Sequence, residues 1–267
     1  MQIKDKTTSE CTDYKEEPLL AIKGYDEMPP FFMSLISRDN LWAFISSRGS
    51  LTAGRESAEK SIFPYVTVDK IHDNYGATGP RTMIRLEGND LWEPFTPHAA
   101  KEPDIERTLS KGILGNSICF EERRVRDGLS FKYRWQPAGR FGLARTACLE
   151  NCSNQTVKLN ILDGIANILP PGLDSRMQAN SSVLTDAYKQ SELQSNSRMA
   201  LYSTASGITD RPEPMENLRA NCAWSSGLDE AAVTLATKVP DAMIQAKAID
   251  PCALNCGQRG AYWLHGE

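Results

Sequence analysis

The chain has 267 residues, of which 40% are hydrophobic and 24% are charged. This composition supplies enough apolar material for a folded core and excludes an intrinsically disordered chain. The formal net charge of −4 includes no long run of either sign, so the sequence argues against nucleic acid or an anionic membrane as the principal partner and favours a neutral or small polar ligand.

The first residues show no targeting signal. They read Met-Gln-Ile-Lys-Asp-Lys and lack the apolar core of a signal peptide, and no stretch approaches the roughly 18 apolar residues of a membrane span. We therefore expect a cytoplasmic protein. Its seven cysteines are an odd number scattered along a large chain, and we expect them to be reduced.

The N-terminal third predicts an arm followed by strands. Residues 1–30 are polar and close with Met28-Pro29-Pro30, which resists helix and indicates an arm or a lead-in strand. We expect residues 31–267 to form one domain. Within it, residues 41–47 and 81–86 have the composition of short strands, and residues 53–60 of a short helix.

The clearest secondary-structure signal is a hairpin in the middle of the chain. Apolar side chains alternate with polar ones over residues 129–136, which is the period of a half-buried strand. The apolar positions are Leu129, Phe131, Tyr133 and Trp135. Because Asp127-Gly128 is a two-residue turn signal, we expect residues 117–126 to pair antiparallel with this strand.

The remaining pattern also favours strands. Residues 142–150 and 157–161 flank an Asn-rich turn and predict a second hairpin. Further short runs occur at residues 199–205, 220–224, 233–238 and 259–265, and a second helix is predicted around residues 183–193. These elements predict an all-β, antiparallel sandwich with one or two short helices. Because residues 260–265 look like a strand in mid-fold, we expect the chain to be part of a longer gene product.

Motifs for metal or nucleotide chemistry are missing from the sequence. His72, His98 and His265 lie far apart, and the cysteines lack paired C-x₂-C spacing. The sequence has no G-x-S-x-G, Walker or G-x-G-x-x-G motif. We therefore predict neither a metal site nor a cofactor, and no catalytic residue is assigned.

One irregular loop has the composition of a sugar site. Trp92 lies between Asp90 and Glu93, so its ring could stack on a sugar whose hydroxyl groups bind the two carboxylates. The alternative is a tryptophan that closes one end of the sandwich. Glycosidase chemistry would need two such carboxylates facing a sugar. We interpret the carboxylate groups of the chain as solvated loop charges instead, namely Asp90 with Glu93, Glu121 with Glu122 and the cluster of Asp210, Glu213 and Glu216.

Arginines mark a second segment of interest. Arg48 and Arg55 follow a predicted strand in a glycine-containing region, where a guanidinium could bind a carboxylate or phosphate or form an internal salt bridge. Arg55 and Asp69 bracket this segment. We expect them either to form a buried structural pair or to line a cleft.

Several segments carry a family resemblance. They are Leu51-Thr-Ala-Gly-Arg55, Phe63-Pro-Tyr65, Arg145-Thr-Ala-Cys-Leu-Glu-Asn151 and Leu162-Asp-Gly-Ile-Ala-Asn-Ile-Leu-Pro-Pro-Gly172. Residues 39–267 resemble the N-terminal region of large bacterial proteins related to cellobiose-phosphorylase-type carbohydrate enzymes. The resemblance implies a β-supersandwich similar to galactose mutarotase, followed in the parent protein by a helical (α/α)₆ domain that carries the catalytic carboxylate.

Three functional hypotheses follow. The first is an accessory sandwich of a glycoside hydrolase or phosphorylase that packs on a C-terminal helical catalytic domain, and it predicts an exposed apolar patch. The second is a free-standing carbohydrate-binding module, which requires exposed aromatic side chains on a sheet face. The third is a mutarotase-like enzyme, for which one of the three histidines would serve as general acid or base.

Overall fold

The computed structural model describes residues 18–96, 103–208, 218–228 and 230–266. These residues form an all-β antiparallel sandwich of four sheets with short helices, which confirms the predicted fold class. The described residues contain four α-helices instead of the expected one or two: α1 Val68–Asp73, α2 Ser175–Asn180, α3 Ser182–Ala187 and α4 Val239–Ile244. None of the helices in these segments is long and apolar enough to cross a membrane.

The strands are short and share antiparallel pairing. In chain order they are β1 Leu19–Lys23, β2 Phe32–Leu35, β3 Leu41–Ser46, β4 Leu51–Arg55, β5 Ser61–Phe63, β6 Gly79–Leu86, β7 Leu91–Trp92, β8 Ile105–Gly112, β9 Ile118–Arg124, β10 Leu129–Pro137, β11 Leu143–Asn151, β12 Leu159–Ile168, β13 Lys189–Leu193, β14 Met199–Thr204, β15 Asn221–Trp224, β16 Ala232–Thr234, β17 Leu254–Cys256 and β18 Gly260–Gly266.

These strands make four sheets with a simple order. The first sheet is β1-β8-β9-β10-β11, and the second is β2-β3-β4-β5. The third is β16-β18-β12-β6-β7, and the fourth is β15-β14-β13-β17. The lead-in strand β1 pairs with β8, and Tyr25 after it is buried against Phe120. The sandwich therefore includes the end of the segment interpreted as an arm or lead-in strand.

Two apolar clusters hold the sheets together. The larger cluster takes side chains from all four sheets, including Ile45, Phe120, Ile168 and Tyr202. The smaller cluster packs helix α4 on the other face of the third sheet, through side chains such as Met83 and Trp263. The third sheet is therefore covered on both faces, which explains why β12 is buried at consecutive positions as well as alternate ones.

The predicted central hairpin is confirmed. Strands β9 and β10 pair antiparallel, with Leu129 opposite Arg124 and Trp135 opposite Ile118. The turn between them is longer than predicted. It contains the single 3-10 turn Val125–Asp127, and only Gly128 takes a left-handed backbone conformation, with φ of 63°.

The predicted second hairpin is wrong. Strand β11 pairs with β10 at the edge of the first sheet, whereas β12 pairs with β6 and β18 in the third sheet. The Asn-rich turn therefore carries the chain from one sheet to another. Gly164 allows β18 to lie close to β12 in the third sheet. A Cβ at this position would lie only 2.2 Å from the carbonyl oxygen of Tyr262 on β18.

Parts of both predicted helices are strands in the structure. Residues 51–55 form strand β4, because they pair with β3 and β5, and only the single 3-10 turn Ala58–Lys60 is helical in this region. The second predicted helix is half correct. Its first part forms α3, and residues from Lys189 onward pair with β14 as strand β13.

Candidate functional site

Trp92 of the predicted sugar loop lies inside the protein. The residue belongs to β7 and is 3% exposed. Its indole Nε1 donates a hydrogen bond of 2.6 Å to Oε1 of Glu122. Because both ring faces are buried, Trp92 has no surface on which a sugar could stack. Trp92 is therefore part of the larger apolar cluster of the sandwich.

Glu122, which was interpreted as a solvated charge, is completely buried on β9. Its carboxylate also accepts hydrogen bonds from the backbone N–H of Phe95 at 2.6 Å and from Nε of Arg107 at 2.8 Å. The Arg107 guanidinium in turn donates to the carbonyl oxygen of Thr96 at 2.7 Å. The carboxylate therefore satisfies three donors and balances one buried cation, which is a structural role.

The two acidic residues beside Trp92 bind arginines. Asp90 accepts hydrogen bonds from Arg124 and from Arg126. Glu93 accepts two hydrogen bonds from Arg81, at 2.8 and 3.1 Å. Both carboxylate oxygens of Glu93 and Oδ2 of Asp90 thus bind arginines of the same chain, and these ion pairs connect the predicted sugar loop to β6 and β9.

Glu93 nevertheless lies beside an opening between the sheets. Tyr75 donates to Oε1 of Glu93 at 3.3 Å, and burial raises the pKa of this phenol well above its usual value. Tyr75, Arg81, Tyr133 and Gly49 line an opening with room for about one water molecule. A space of this size does not admit a sugar ring.

A second buried ion pair lies behind this opening. Arg145 donates to both carboxylate oxygens of Asp163, at 2.7 and 2.8 Å. Thr82 donates to the same carboxylate at 2.5 Å, and the guanidinium stacks 4.8 Å from the centre of the Tyr133 ring. The pair connects β11 of the first sheet with β12 of the third, so it joins two layers of the sandwich.

Arg55 and Asp69 do not meet. Arg55 donates to the carbonyl oxygens of Asp39, Gly139 and Arg140 at 2.9–3.2 Å. Asp69 lies exposed on helix α1, where a hydrogen bond from Thr67 lowers its pKa. No hydrogen bond or ion pair joins the two side chains. Arg48, the other arginine of this segment, makes a 3.6 Å ion pair with Asp73.

The histidines are also dispersed. Nδ1 of His72 lies 2.8 Å from the hydroxyl of Ser46, and burial lowers the pKa of His265 on β18. His98 lies outside the described residues, as do Asp210, Glu213 and Glu216. Within the described segments, no group of three or more His, Cys, Asp or Glu side chains could hold a metal ion.

Four aromatic side chains that reach the surface lie on or beside the second sheet. Four rings follow one another in edge-to-face or tilted contacts, with centroid separations of 5.9, 6.3 and 5.6 Å. In spatial order they are Phe32, Phe44, Trp42 and Tyr65, and we call them the aromatic row. Phe32 is 45% exposed and Tyr65 is 54% exposed, and the two central rings are half-buried.

Alternation along β3 places this row on the outer face of the sheet. Ala43 and Ile45 point into the core, so Trp42 and Phe44 between them point outward. The cross-strand partner of Trp42 is Gly54, and a Cβ there would lie 2.5 Å from Cζ2 of the indole. The missing side chain at Gly54 thus allows the indole to lie across β4. The sequence analysis did not predict the row. The available signal was that β3 carries apolar side chains at consecutive positions, so that both of its faces are apolar.

Replacing Gly54 with alanine should therefore displace Trp42. The added methyl group would also lie 2.7 Å from the carbonyl oxygen of Lys60, so the sheet must shift, at a cost of about 1–3 kcal/mol. Chemical denaturation should show this loss, and the fluorescence of the variant should report a more solvated indole. Gly266→Ala is the control, because a Cβ at that position meets only ordinary contacts, 3.6 and 3.7 Å from atoms of Ala231, and neither Gly266 nor Gly54 has positive φ. Equal stability of Gly54→Ala and the wild type would contradict the packing described for Trp42.

Searches of protein-family models and of curated proteins found no match to this chain.

Proposed function

We propose that this sandwich is a carbohydrate-binding accessory domain of a carbohydrate-active protein and that the aromatic row is its binding surface. The observation that carries the proposal is the row itself, with four rings in contact on one sheet face and exposed rings at both ends. The resemblance of residues 39–267 to the N-terminal region of carbohydrate enzymes supports the same choice of ligand.

Sugar rings and aromatic rings have complementary surfaces. One face of a pyranose carries mainly C–H groups, and it packs on an aromatic face while the hydroxyl groups remain solvated at the rim. The successive ring separations in the row are comparable to the size of a sugar unit. Exposed polar side chains flank the rings, among them Ser34 and the ion pair of Glu56 with Lys60. The surface therefore suits a neutral oligosaccharide.

Removal of an exposed ring tests the proposal. Tyr65→Ala should weaken the binding of neutral oligosaccharides by at least about fivefold, because truncation of a contact aromatic costs about 1 kcal/mol or more. Isothermal titration calorimetry against a panel of neutral glycans at millimolar concentration measures the effect. Leu184→Ala is a matched control, since Leu184 is 51% exposed on helix α3. No heat with any glycan, or equal affinities of the two variants, would reject the proposal.

An aliphatic surface supports a second role for the same domain, namely docking of a helical catalytic domain. Exposed Ile36 meets the turn after β8, where its N–H donates to the carbonyl oxygen of Gly115 at 2.8 Å. Ile113 and Leu114 in this turn are 60% and 71% exposed. Exposed apolar groups of this kind often mark contact surfaces between domains.

The docking role has its own test. Leu114→Asp should weaken association of this chain with the helical region of the parent protein, measured by analytical ultracentrifugation of the two purified parts. Tyr65→Ala serves as the control, because it changes only the aromatic row. Unchanged association of Leu114→Asp would reject the docking role and leave the sugar-binding proposal intact.

A further inference from the structure

A second exposed aromatic pair lies outside the aromatic row. Phe141 belongs to the 3-10 turn Gly139–Phe141 between β10 and β11, and Trp224 ends the edge strand β15 of the fourth sheet. Their ring centroids are 5.9 Å apart at an interplanar angle of 79°. Phe141 is 59% exposed and Trp224 is 50% exposed. Two large aromatic side chains thus face solvent together.

A guanidinium completes this surface. The Arg140 side chain lies over the Phe141 ring, with its Cζ atom 4.8 Å from the ring centroid. Arg140 is exposed, and no ion pair joins it to a carboxylate among the described residues. Stacking on a ring leaves the N–H edge of a guanidinium free to donate two parallel hydrogen bonds.

Hydrogen bonds to its backbone hold the turn that carries Arg140 and Phe141. Arg55 donates to the carbonyl oxygens of Gly139 and Arg140, at 3.1 and 2.9 Å. Backbone bonds close the same turn, where the N–H of Ala138 donates to Gly142 at 2.7 Å. The backbone at Arg140 and Phe141 is thus fixed before any ligand arrives, which reduces the entropy lost on binding.

We propose that Arg140, Phe141 and Trp224 form a separate binding site for an acidic sugar unit, such as a uronate within an oligosaccharide. The guanidinium edge binds the carboxylate, and the rings of Phe141 and Trp224 contact the C–H face of the sugar. The proposal rests on the proposed function only for the sugar body of the ligand, because the carboxylate requirement comes from Arg140.

Charge separates this site from the aromatic row. The row has four rings and no guanidinium stacked among them, whereas the second site places an arginine directly on the ring that a ligand would touch. Neutral sugars should therefore bind the row, and acidic sugars should gain affinity at Arg140. The gain should fall as salt is added, since exposed charge interactions are screened.

Titration calorimetry with two ligands tests the site. The probes are a tetramer of galacturonate and a neutral tetramer of galactose, and the proteins are the wild type, Arg140→Met and Trp224→Ala. We expect Arg140→Met to weaken galacturonate binding by about 10- to 100-fold, because it removes charge-assisted hydrogen bonds. Trp224→Ala should weaken galacturonate binding as well, and Arg140→Lys should fall between wild type and Arg140→Met.

Matched variants keep this test separate from that of the proposed function. Arg123→Met removes an equal charge from an exposed side chain on β9 and should leave galacturonate binding unchanged. Tyr65→Ala should reduce binding of the neutral tetramer more than that of galacturonate. Galacturonate that fails to bind, or binds Arg140→Met as tightly as the wild type, would overturn the acidic-sugar site. A neutral tetramer insensitive to Tyr65→Ala would overturn the aromatic row alone.

Discussion

Replacing Glu122 with glutamine should lower the free energy of unfolding by about 3–5 kcal/mol, since it leaves the buried Arg107 with only its 3.5 Å ion pair to Asp26 and leaves one of three buried donors without an acceptor. The carboxylate accepts from three donors, namely Trp92, Phe95 and Arg107. An amide has only one oxygen, so its NH₂ group would have to face one of these donors. In a domain of this size, each kcal/mol corresponds to roughly 2–4 °C in melting temperature. A thermal melt should therefore show a large fall.

Glu121→Gln provides the control for this substitution. Glu121 is the preceding residue on β9, is only partly buried, and accepts one 3.3 Å hydrogen bond from Ser130. Its replacement should change the melting temperature by a few degrees at most. Equal effects of the two substitutions would show that the buried network of Glu122 contributes little to stability.

Arg145→Met should destabilise the sandwich by a comparable amount, about 3–5 kcal/mol, because Asp163 then loses its bidentate cation in a buried position. The guanidinium and the carboxylate are 6% and 11% exposed. The substitution also removes the contact of Arg145 with the Tyr133 ring. Urea denaturation of the purified variant measures the change.

A double variant separates the loss of the pair from a general packing defect. Arg145→Met combined with Asp163→Leu removes both charges, and apolar replacement of a whole buried pair is often less harmful than removal of one partner. The double variant should therefore be more stable than the sum of the two single effects predicts. Strictly additive losses would contradict a direct interaction between Arg145 and Asp163.

The local sequence pattern was sufficient to predict strand pairing where the two paired strands follow one another in the chain. The alternation over residues 129–136 and the turn before it predicted the β9–β10 hairpin, because both signals lie within one continuous segment. Prediction failed at β12, whose partners lie far away in the chain. Thr82 and Asp163, for example, are 81 positions apart, and no local period specifies such a pairing.

The predicted sugar loop has a structural role because Trp92 is buried and the acidic residues beside it bind arginines. Asp90 and Glu93 have the composition of a solvated loop, and their arginine partners can be identified only when the sheets are assembled. The aromatic row escaped prediction for a related reason. It combines side chains from three segments, and the indole of Trp42 needs the space provided by Gly54 on the next strand.

The central claim is that a neutral oligosaccharide binds on the aromatic row, and a crystal structure of the complex tests it most directly. The glycan with the highest affinity in the calorimetric panel would be soaked into crystals in which the second sheet faces solvent. Our account predicts a sugar ring packed on Tyr65 or Phe32, at one of the two exposed ends of the row. A glycan bound elsewhere on the sandwich, with the row unoccupied, would contradict it.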